Sequence, residues 1–94
     1  MRTIYKYTLS VKDEQTLNIP LAEGRIDSIL CIDAQRGVPC LWAMVDTTYP
    51  ATNVVVSTRG TGHSCAGIKQ EMYIGTYQLQ YGDIVFHVFA EMDE

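Results

Sequence analysis

Charge is scarce in this sequence, and the charged residues do not gather into a patch. They make up 19% of the 94 residues, whereas about a quarter is usual in globular domains. The seven Lys and Arg residues stand singly along the chain, so the basic face with which proteins bind nucleic-acid phosphates is missing. The sequence therefore predicts no long nucleic acid as a partner.

Long apolar runs and helical periodicity are also lacking. The longest uninterrupted apolar run covers residues 40–45, far short of the roughly 20 residues of a membrane-spanning helix. The N-terminal residues contain no apolar signal segment. Apolar side chains do not recur with the helical period in any long window. We therefore expect no membrane partner and no long helix.

Cysteine is too sparse for a disulfide framework. Cys31, Cys40 and Cys65 form no CxxC pair and leave one thiol over in any pairing, which fits a reducing cytoplasm. We expect Cys31 and Cys40 to be small buried thiols. His63 and Cys65 would give a metal only two ligands, and the Walker and dinucleotide fingerprints are absent. The sequence predicts no metal and no cofactor.

Apolar residues are abundant instead, at 47%, and they alternate as in β-strands. The predicted strands cover residues 4–9, 16–19, 25–33, 38–46, 53–58, 72–79 and 84–89. Gly37 and Gly82 mark hairpin turns after the third and the sixth of these strands. This spacing predicts an all-β fold, a single small antiparallel meander, sandwich or barrel of about seven short strands.

The chain length fits one domain, residues 1–90. An acidic C-terminal tail, residues 91–94, holds three of the eleven acidic residues and leaves a nearly neutral body. Residues 40–45 and 84–89 are apolar on both faces of their strands. Because so short a chain can hardly cover both sides of a sheet by itself, the sequence predicts a homo-oligomer.

The most distinctive local sequence is Arg59-Gly60-Thr61-Gly62-His63. Glycines one residue apart allow left-handed backbone and can turn several N–H groups toward one anion. The side chains of Arg59, Thr61 and His63 are phosphate-compatible donors. Tyr73 and Trp42 each combine a flat apolar ring with a donor and could stack a planar base. The predicted ligand site therefore comprises Arg59, Gly60, Thr61, Gly62, His63, Tyr73 and Trp42.

A tight loop whose glycines serve only the geometry of the turn is the alternative interpretation of this segment. It lacks the strand–loop–helix context of known phosphate loops. His87 lies between Phe86 and Val88, and we expect it to satisfy one hydrogen bond in a packed or interfacial face. No nucleophile, base and orienting group stand out as a set, so the sequence predicts a protein that is not an enzyme.

Six blocks follow one another along the chain: YKY at 5–7, DEQ at 13–15, GVPCLWAMVD at 37–46, GTGH at 60–63, YIGTYQL at 73–79 and VFHVF at 85–89. In this order the chain resembles a family of short phage- or prophage-encoded proteins classed as a domain of unknown function. The resemblance implies a small protein made in the cytoplasm of infected bacteria, where stand-alone phage domains of this size often act against host defence.

Aromatic residues, a glycine turn and scattered donors, without catalytic machinery, favour binding. The leading hypothesis is a non-enzymatic homo-oligomer that sequesters a small anionic nucleotide-derived immune signal, as phage inhibitors of Thoeris and CBASS signalling do. A second hypothesis is a protein-interaction module, either a phage inhibitor of a host protein or a virion accessory protein. The third is a small nucleotide-cleaving enzyme with His63 as acid or base.

Overall fold

The computed structural model describes residues 1–93, which form two antiparallel sheets packed against each other. The three-stranded sheet has the order β1-β4-β3 and the four-stranded sheet the order β2-β5-β7-β6. The strands are β1 Arg2–Thr8, β2 Glu14–Ile19, β3 Ile29–Gln35, β4 Val38–Asp46, β5 Thr52–Gly60, β6 Tyr73–Leu79 and β7 Ile84–Met92. The predicted all-β fold is confirmed, as a sandwich. Within the described range, no helix has the length and apolarity needed to cross a bilayer.

The observed strand bounds lie within three residues of the predicted ones, except at the start of β3. The strand predicted at residues 38–46 has the observed bounds of β4. Residues 25–28 were predicted to begin a strand, but Ile26–Ser28 form a 3-10 turn and β3 begins at Ile29. Ile26 packs against the core from this turn. It therefore adds an apolar residue to the pattern without belonging to a strand.

Both predicted hairpins are present. Arg36 and Gly37 have φ values of 53° and 78°, and Gln35 pairs with Val38, so β3 and β4 are joined by a two-residue turn of the type that matches strand twist. The connection from β6 to β7 occupies residues 80–83 and contains Gly82, with a φ of 92°. These left-handed positions explain why glycine occurs at both turns.

The last strand runs past the predicted end of the domain. Met92 pairs with Val54 and packs against the core, because the alternation that turns Ala90 inward continues for one more step. The Asp93 N–H donates to the Asn53 carbonyl at 2.9 Å. Residues 91–93 of the predicted acidic tail are therefore attached to the sheet, and Glu94 lies outside the described residues.

The core lies between the sheets and is made from alternate residues of the central strands. Leu41, Ala43 and Val45 of β4 and Val54 and Val56 of β5 are completely buried. Because neighbouring residues in a strand point to opposite faces, the residues between them lie on the outer faces of the sandwich. β4 and β7, the two strands predicted to be apolar on both faces, leave partly accessible apolar residues there, and so do β1 with Ile4 and β3 with Leu30.

β3 and β6 approach each other closely at one side of the sandwich. A Cβ atom at Gly75 would lie 3.0 Å from the Cβ of Ile32 and 3.5 Å from its backbone nitrogen. Only glycine leaves room for this approach. The sandwich is therefore nearly closed on this side, whereas β1 and β2 are edge strands at the other side.

Candidate functional site

The predicted binding segment forms a tight turn at the end of β5. The His63 N–H donates to the Gly60 carbonyl at 3.0 Å, and Gly62 has a φ of 88°, as expected for the third residue of a type II turn. The Thr61 N–H points to the Val85 carbonyl at 3.4 Å. Two amides of this turn are therefore used within the fold and do not point toward an anion.

A close contact lies above Gly60 within this turn. A Cβ atom at this position would come within 3.0 Å of both Cε1 and Nδ1 of His63, so the imidazole lies directly over the glycine. Beside it is an open cleft of about 410 Å³, which is lined in part by Thr61, His63, Val85 and Phe86. His63 is exposed at this cleft.

A line of four hydrogen-bonded side chains crosses the outer face of the four-stranded sheet. Thr61 Oγ1 lies 2.8 Å from His87 Nε2, and His87 Nδ1 lies 3.0 Å from Thr76 Oγ1. Thr76 Oγ1 is in turn 2.6 Å from the Tyr73 hydroxyl. We name these four residues the hydroxyl–imidazole chain. It links the turn after β5 to β7 and β6, and so it joins segments that are distant in sequence.

The strand register explains how the residues of the hydroxyl–imidazole chain come together. Thr76 is directly opposite His87 across β6 and β7, and Arg59 is directly opposite His87 across β5 and β7. Directly opposed residues of antiparallel strands point to the same face. The side chains of Arg59, His87 and Thr76 therefore form one row across three neighbouring strands.

Arg59 brings a fixed positive charge to this row. Its Nη1 donates to the carbonyl oxygens of Asp13, at 2.8 Å, and Thr58, at 2.9 Å. These acceptors are neutral, so the bonds hold the guanidinium in place without cancelling its charge. Because Asp13 directly precedes β2, on the side of β5 away from β7, the guanidinium lies at the β2 edge of this row.

An aromatic surface lies at the Tyr73 end of the hydroxyl–imidazole chain. The rings of Tyr73 and Phe89 meet edge to face, with centroids 5.8 Å apart and an interplanar angle of 66°. Tyr73 remains 51% exposed, so much of this residue is open to solvent although its ring contacts Phe89. Such a ring is suited to stack a planar group.

Trp42 does not lie with the other predicted site residues. It is on β4, where Leu41 and Ala43 point into the core, so Trp42 points away from the core on the outer face of the three-stranded sheet. Its neighbours in register are Lys6 and Cys31. The structure thus brings Arg59, Gly60, Thr61, Gly62, His63 and Tyr73 to one end and face of the sandwich and places Trp42 on the opposite face.

His87 and Thr76 are the members of the site that sequence reasoning missed. His87 was expected to make one hydrogen bond but makes two. The signal was available: Leu79 pairs with Ile84 at the hairpin, and counting back along both strands places Thr76 opposite His87. The contact with Thr61 involves a loop and could not be counted in this way.

The fold and this face define a small all-β sandwich domain with an ordered polar row on one outer surface. The whole chain, residues 1–94, matches the family model described as "Domain of unknown function (DUF7352)", and the protein belongs to that family. No curated protein and no solved structure matches the chain.

Proposed function

We propose that the protein binds a small anionic nucleotide-derived ligand on the outer face of the four-stranded sheet and sequesters it without turnover. The observation that carries this proposal is the hydroxyl–imidazole chain. Both nitrogens of His87 are hydrogen-bonded, which holds the ring in one orientation. The guanidinium of Arg59, at the β2 edge of the same row, and the exposed ring of Tyr73 are the groups needed for a phosphate and a base.

The hydroxyl–imidazole chain also offers a free hydroxyl hydrogen, and the tautomer of His87 decides which residue carries it. A hydroxyl can donate one hydrogen bond and accept two. If His87 carries its proton on Nε2, the Thr61 hydroxyl accepts from it and its own hydrogen is free for a ligand. If the proton is on Nδ1, the Thr61 hydroxyl donates to Nε2, and the free hydroxyl hydrogen is that of Thr76 or Tyr73. A phosphate bound at Thr61 therefore selects the Nε2–H tautomer.

Side chains take over the role first assigned to the backbone nest. Thr61 and His63 border the open cleft, and Arg59 lies in the row beside His87. The Tyr73 ring, supported by Phe89, stacks the base. Stacking of this kind contributes about 1–3 kcal/mol per base, which is a large part of the affinity that a small ligand needs.

The same geometry favours binding over catalysis. Thr61, His87 and Thr76 have the order of a nucleophile, a base and an orienting group. However, the third group is a neutral hydroxyl, whereas the hydrolases that use this arrangement rely on a carboxylate to stabilise the imidazolium. Proton transfer from Thr61 to His87 would therefore create an imidazolium with no counterion among the four residues of the hydroxyl–imidazole chain.

The proposal includes the biological setting that the family resemblance implied. The protein acts in the cytoplasm of a phage-infected bacterium, as a homo-oligomer, and removes a nucleotide immune signal. Sequestration requires tight binding and slow release, and a rigid sheet face with a preformed row of donors provides both.

Isothermal titration tests the proposal, with cyclic ADP-ribose isomers, histidine–ADP-ribose and cyclic di- and trinucleotides as ligands. At about 50 µM protein, a scale that detects weak sites, at least one ligand should give saturable heat. Thr61→Val should weaken that binding about tenfold. Thr16→Val, a threonine on the edge strand of the same sheet, is the matched control and should leave it unchanged.

Three further outcomes separate the hypotheses. Ligand recovered intact after heat denaturation supports sequestration, whereas a cleaved product would establish the enzyme hypothesis. Nitrogen-15 NMR of the bound state should show His87 protonated on Nε2. If no ligand gives heat and one host protein is recovered in a stoichiometric complex instead, the binding proposal is wrong and the interaction module is correct.

A further inference from the structure

A second open cleft lies on the outer face of the three-stranded sheet, at the end where β3 turns into β4. Its volume is about 500 Å³. The lining residues come from β1, β4 and the hairpin between β3 and β4, and they are Lys6, Thr8, Gln35, Arg36, Val38 and Cys40. No acidic residue of the described range 1–93 lines this cleft. The fold therefore brings together two basic residues, Lys6 and Arg36, that are far apart in the sequence.

The Lys6 ammonium is held in place by a neutral partner. It donates to Oε1 of Gln35 at 2.8 Å, and this bond reaches from β1 to β3 across β4, the strand between them. A glutamate has the same length as glutamine and would form an ion pair at this position. Lys6 forms no ion pair among residues 1–93. The bond therefore positions the ammonium and leaves its charge uncancelled.

The two cysteines of this sheet differ in their burial. Cys40 is buried at the cleft, as predicted, and its thiol donates to the Val38 carbonyl at 3.5 Å. Cys31 is exposed, so the prediction that it is a buried thiol was wrong. The register of β3 shifts between Ile29 and Cys31, which places Cys31 opposite Trp42 on the outer face.

Arg36 occupies a backbone position that disfavours it. Its φ is 53°, in the left-handed region, and it is the first of the two residues in the turn between β3 and β4. Asn, Asp and Gly are preferred at this position of such a turn, because left-handed backbone is unfavourable for a residue with a long side chain. An unfavourable backbone conformation of this kind points to a function for the residue. The side chain of Arg36 lines the cleft.

We infer that this cleft binds the phosphoryl group of a small phosphorylated ligand. The Lys6 ammonium and the Arg36 guanidinium supply the positive charge, and the Thr8 hydroxyl and the Nε2 hydrogens of Gln35 supply neutral donors. A phosphoryl group carries about two negative charges and three acceptor oxygens, so it matches this set of donors better than a carboxylate does. The inference goes beyond the proposed function, because this cleft shares no residue with the hydroxyl–imidazole chain and lies on the other sheet.

Asp33 is the acidic residue that pairs in register with a residue of the cleft, Cys40. Its carboxylate accepts from the Ala34 N–H at 2.8 Å, and Asp33 lines the neighbouring depression instead of the cleft. It therefore reduces the positive potential of the cleft without contacting the ligand. Asp33→Asn should strengthen phosphate binding about twofold, and weaker binding by this variant would contradict the proposed charge balance.

Isothermal titration at low ionic strength tests the site, with inorganic phosphate, pyrophosphate and adenosine monophosphate as probes. Arg36→Asn should weaken the binding about tenfold. The same variant creates an Asn-Gly turn and should therefore raise the melting temperature. Because affinity and stability change in opposite directions, unfolding cannot explain the loss of binding. If the wild type binds none of the probes, or if Arg36→Asn binds them normally, the inference is wrong.

Gln35→Glu tests whether the uncancelled charge matters. The variant keeps the contact with Lys6 but converts it into an ion pair, so binding should fall about tenfold. Gln70→Glu makes the same change of charge at an exposed position before β6 and is the matched control. Equal losses in both variants would show that only the net charge matters and would overturn the inference.

Two comparisons keep this site separate from the proposed nucleotide site. Repeating the titrations in Thr61→Val weakens the nucleotide site and should leave the cleft unchanged. In NMR spectra, pyrophosphate should shift the amide signals of Arg36 and Gly37, and shifts confined to the turn at residues 60–63 would contradict the inference. Tighter binding of adenosine monophosphate than of inorganic phosphate to Thr61→Val would identify a nucleotide as the ligand, and equal affinity would identify phosphate itself.

Discussion

Thr76 and His87 face each other across β6 and β7, and the Thr76 hydroxyl lies 3.0 Å from Nδ1 of the imidazole. The same hydroxyl is 2.6 Å from the Tyr73 hydroxyl. One threonine therefore determines both the orientation of the histidine ring and the position of the tyrosine hydroxyl. It is the residue through which the polar and aromatic parts of the proposed site are coupled.

Replacing Thr76 by valine should uncouple them. Valine keeps the shape but removes the hydroxyl, so His87 Nδ1 and the Tyr73 hydroxyl each lose a partner. We expect the free energy of unfolding to fall by about 1 kcal/mol, measured by urea denaturation, and ligand affinity to fall about tenfold. Thr16→Val serves again as the control. Equal losses of stability and affinity in both variants would show that the hydroxyl–imidazole chain has no special role.

Removal of the buried Tyr77 hydroxyl should stabilise the protein, in contrast to removal of the Thr76 hydroxyl. Tyr77 is 1% exposed, and its hydroxyl has no hydrogen-bond partner among the described residues. Removing an unsatisfied buried polar group recovers its desolvation cost. Tyr77→Phe should therefore raise the free energy of unfolding by about 1 kcal/mol. Tyr49→Phe, at a tyrosine that is 41% exposed, should have no measurable effect, and destabilisation by Tyr77→Phe would contradict the prediction.

The same hydroxyl makes stability depend on alkaline pH. Burial raises the pKa of Tyr77 above its ordinary value of 10.0, so the unfolded chain loses this proton before the folded protein does. Ionisation of this group therefore leaves the free energy of unfolding unchanged below about pH 10 and lowers it as the pH rises from there through the folded pKa. The melting temperature of the wild type should fall more steeply in this range than that of Tyr77→Phe. The pKa of Tyr7 is also raised, mainly by burial and further by Tyr5. Because Tyr7 is present in both proteins, it does not affect the comparison.

Gly75 and Gly60 allow a matched comparison of close approaches. A methyl group at either position would come within 3.0 Å of a neighbouring side-chain atom. At Gly75 the neighbour is Ile32, which is 7% exposed and fixed in the core, whereas at Gly60 it is the exposed His63 ring, which can rotate away. Gly75→Ala should cost about 1–3 kcal/mol of stability and Gly60→Ala much less. Thermal unfolding of the two variants checks the difference, and equal losses would be inconsistent with it.

Acid should loosen the N-terminus through Asp46. The Thr48 hydroxyl, at 2.6 Å, lowers the pKa of this carboxyl most, and the Thr48 N–H and the N-terminal ammonium lower it further. Because the folded pKa lies below the ordinary 3.8, the contribution is present above that pH and is lost as the pH falls through the folded value. Asp46→Asn should flatten the acid limb of the stability curve. Identical acid limbs for the two proteins would rule out this role.

Local sequence predicted the elements well and their partners poorly. The bounds of β4 followed from Gly37 before the strand and from the apolar residues within it, both of which are near neighbours in the chain. Trp42 was grouped with residues from which the fold separates it, because no local pattern shows that β4 joins one sheet and β7 the other. That choice depends on contacts between distant residues, such as Ile32 against Gly75. The pairing of Thr76 with His87 was within reach because a hairpin connects the two strands.

The one-sided closure of the sandwich has a consequence for local opening. β3 and β6 support each other across the gap between the sheets, whereas β1 and β2 each pair with a single neighbour. Strands of this kind exchange their amide hydrogens through small fluctuations, while central strands exchange only when the whole domain opens. The amide hydrogens of the first twenty or so residues should therefore lose protection from exchange before those of β5 and β7. The protein then opens locally from its N-terminal side while the hydroxyl–imidazole chain remains intact.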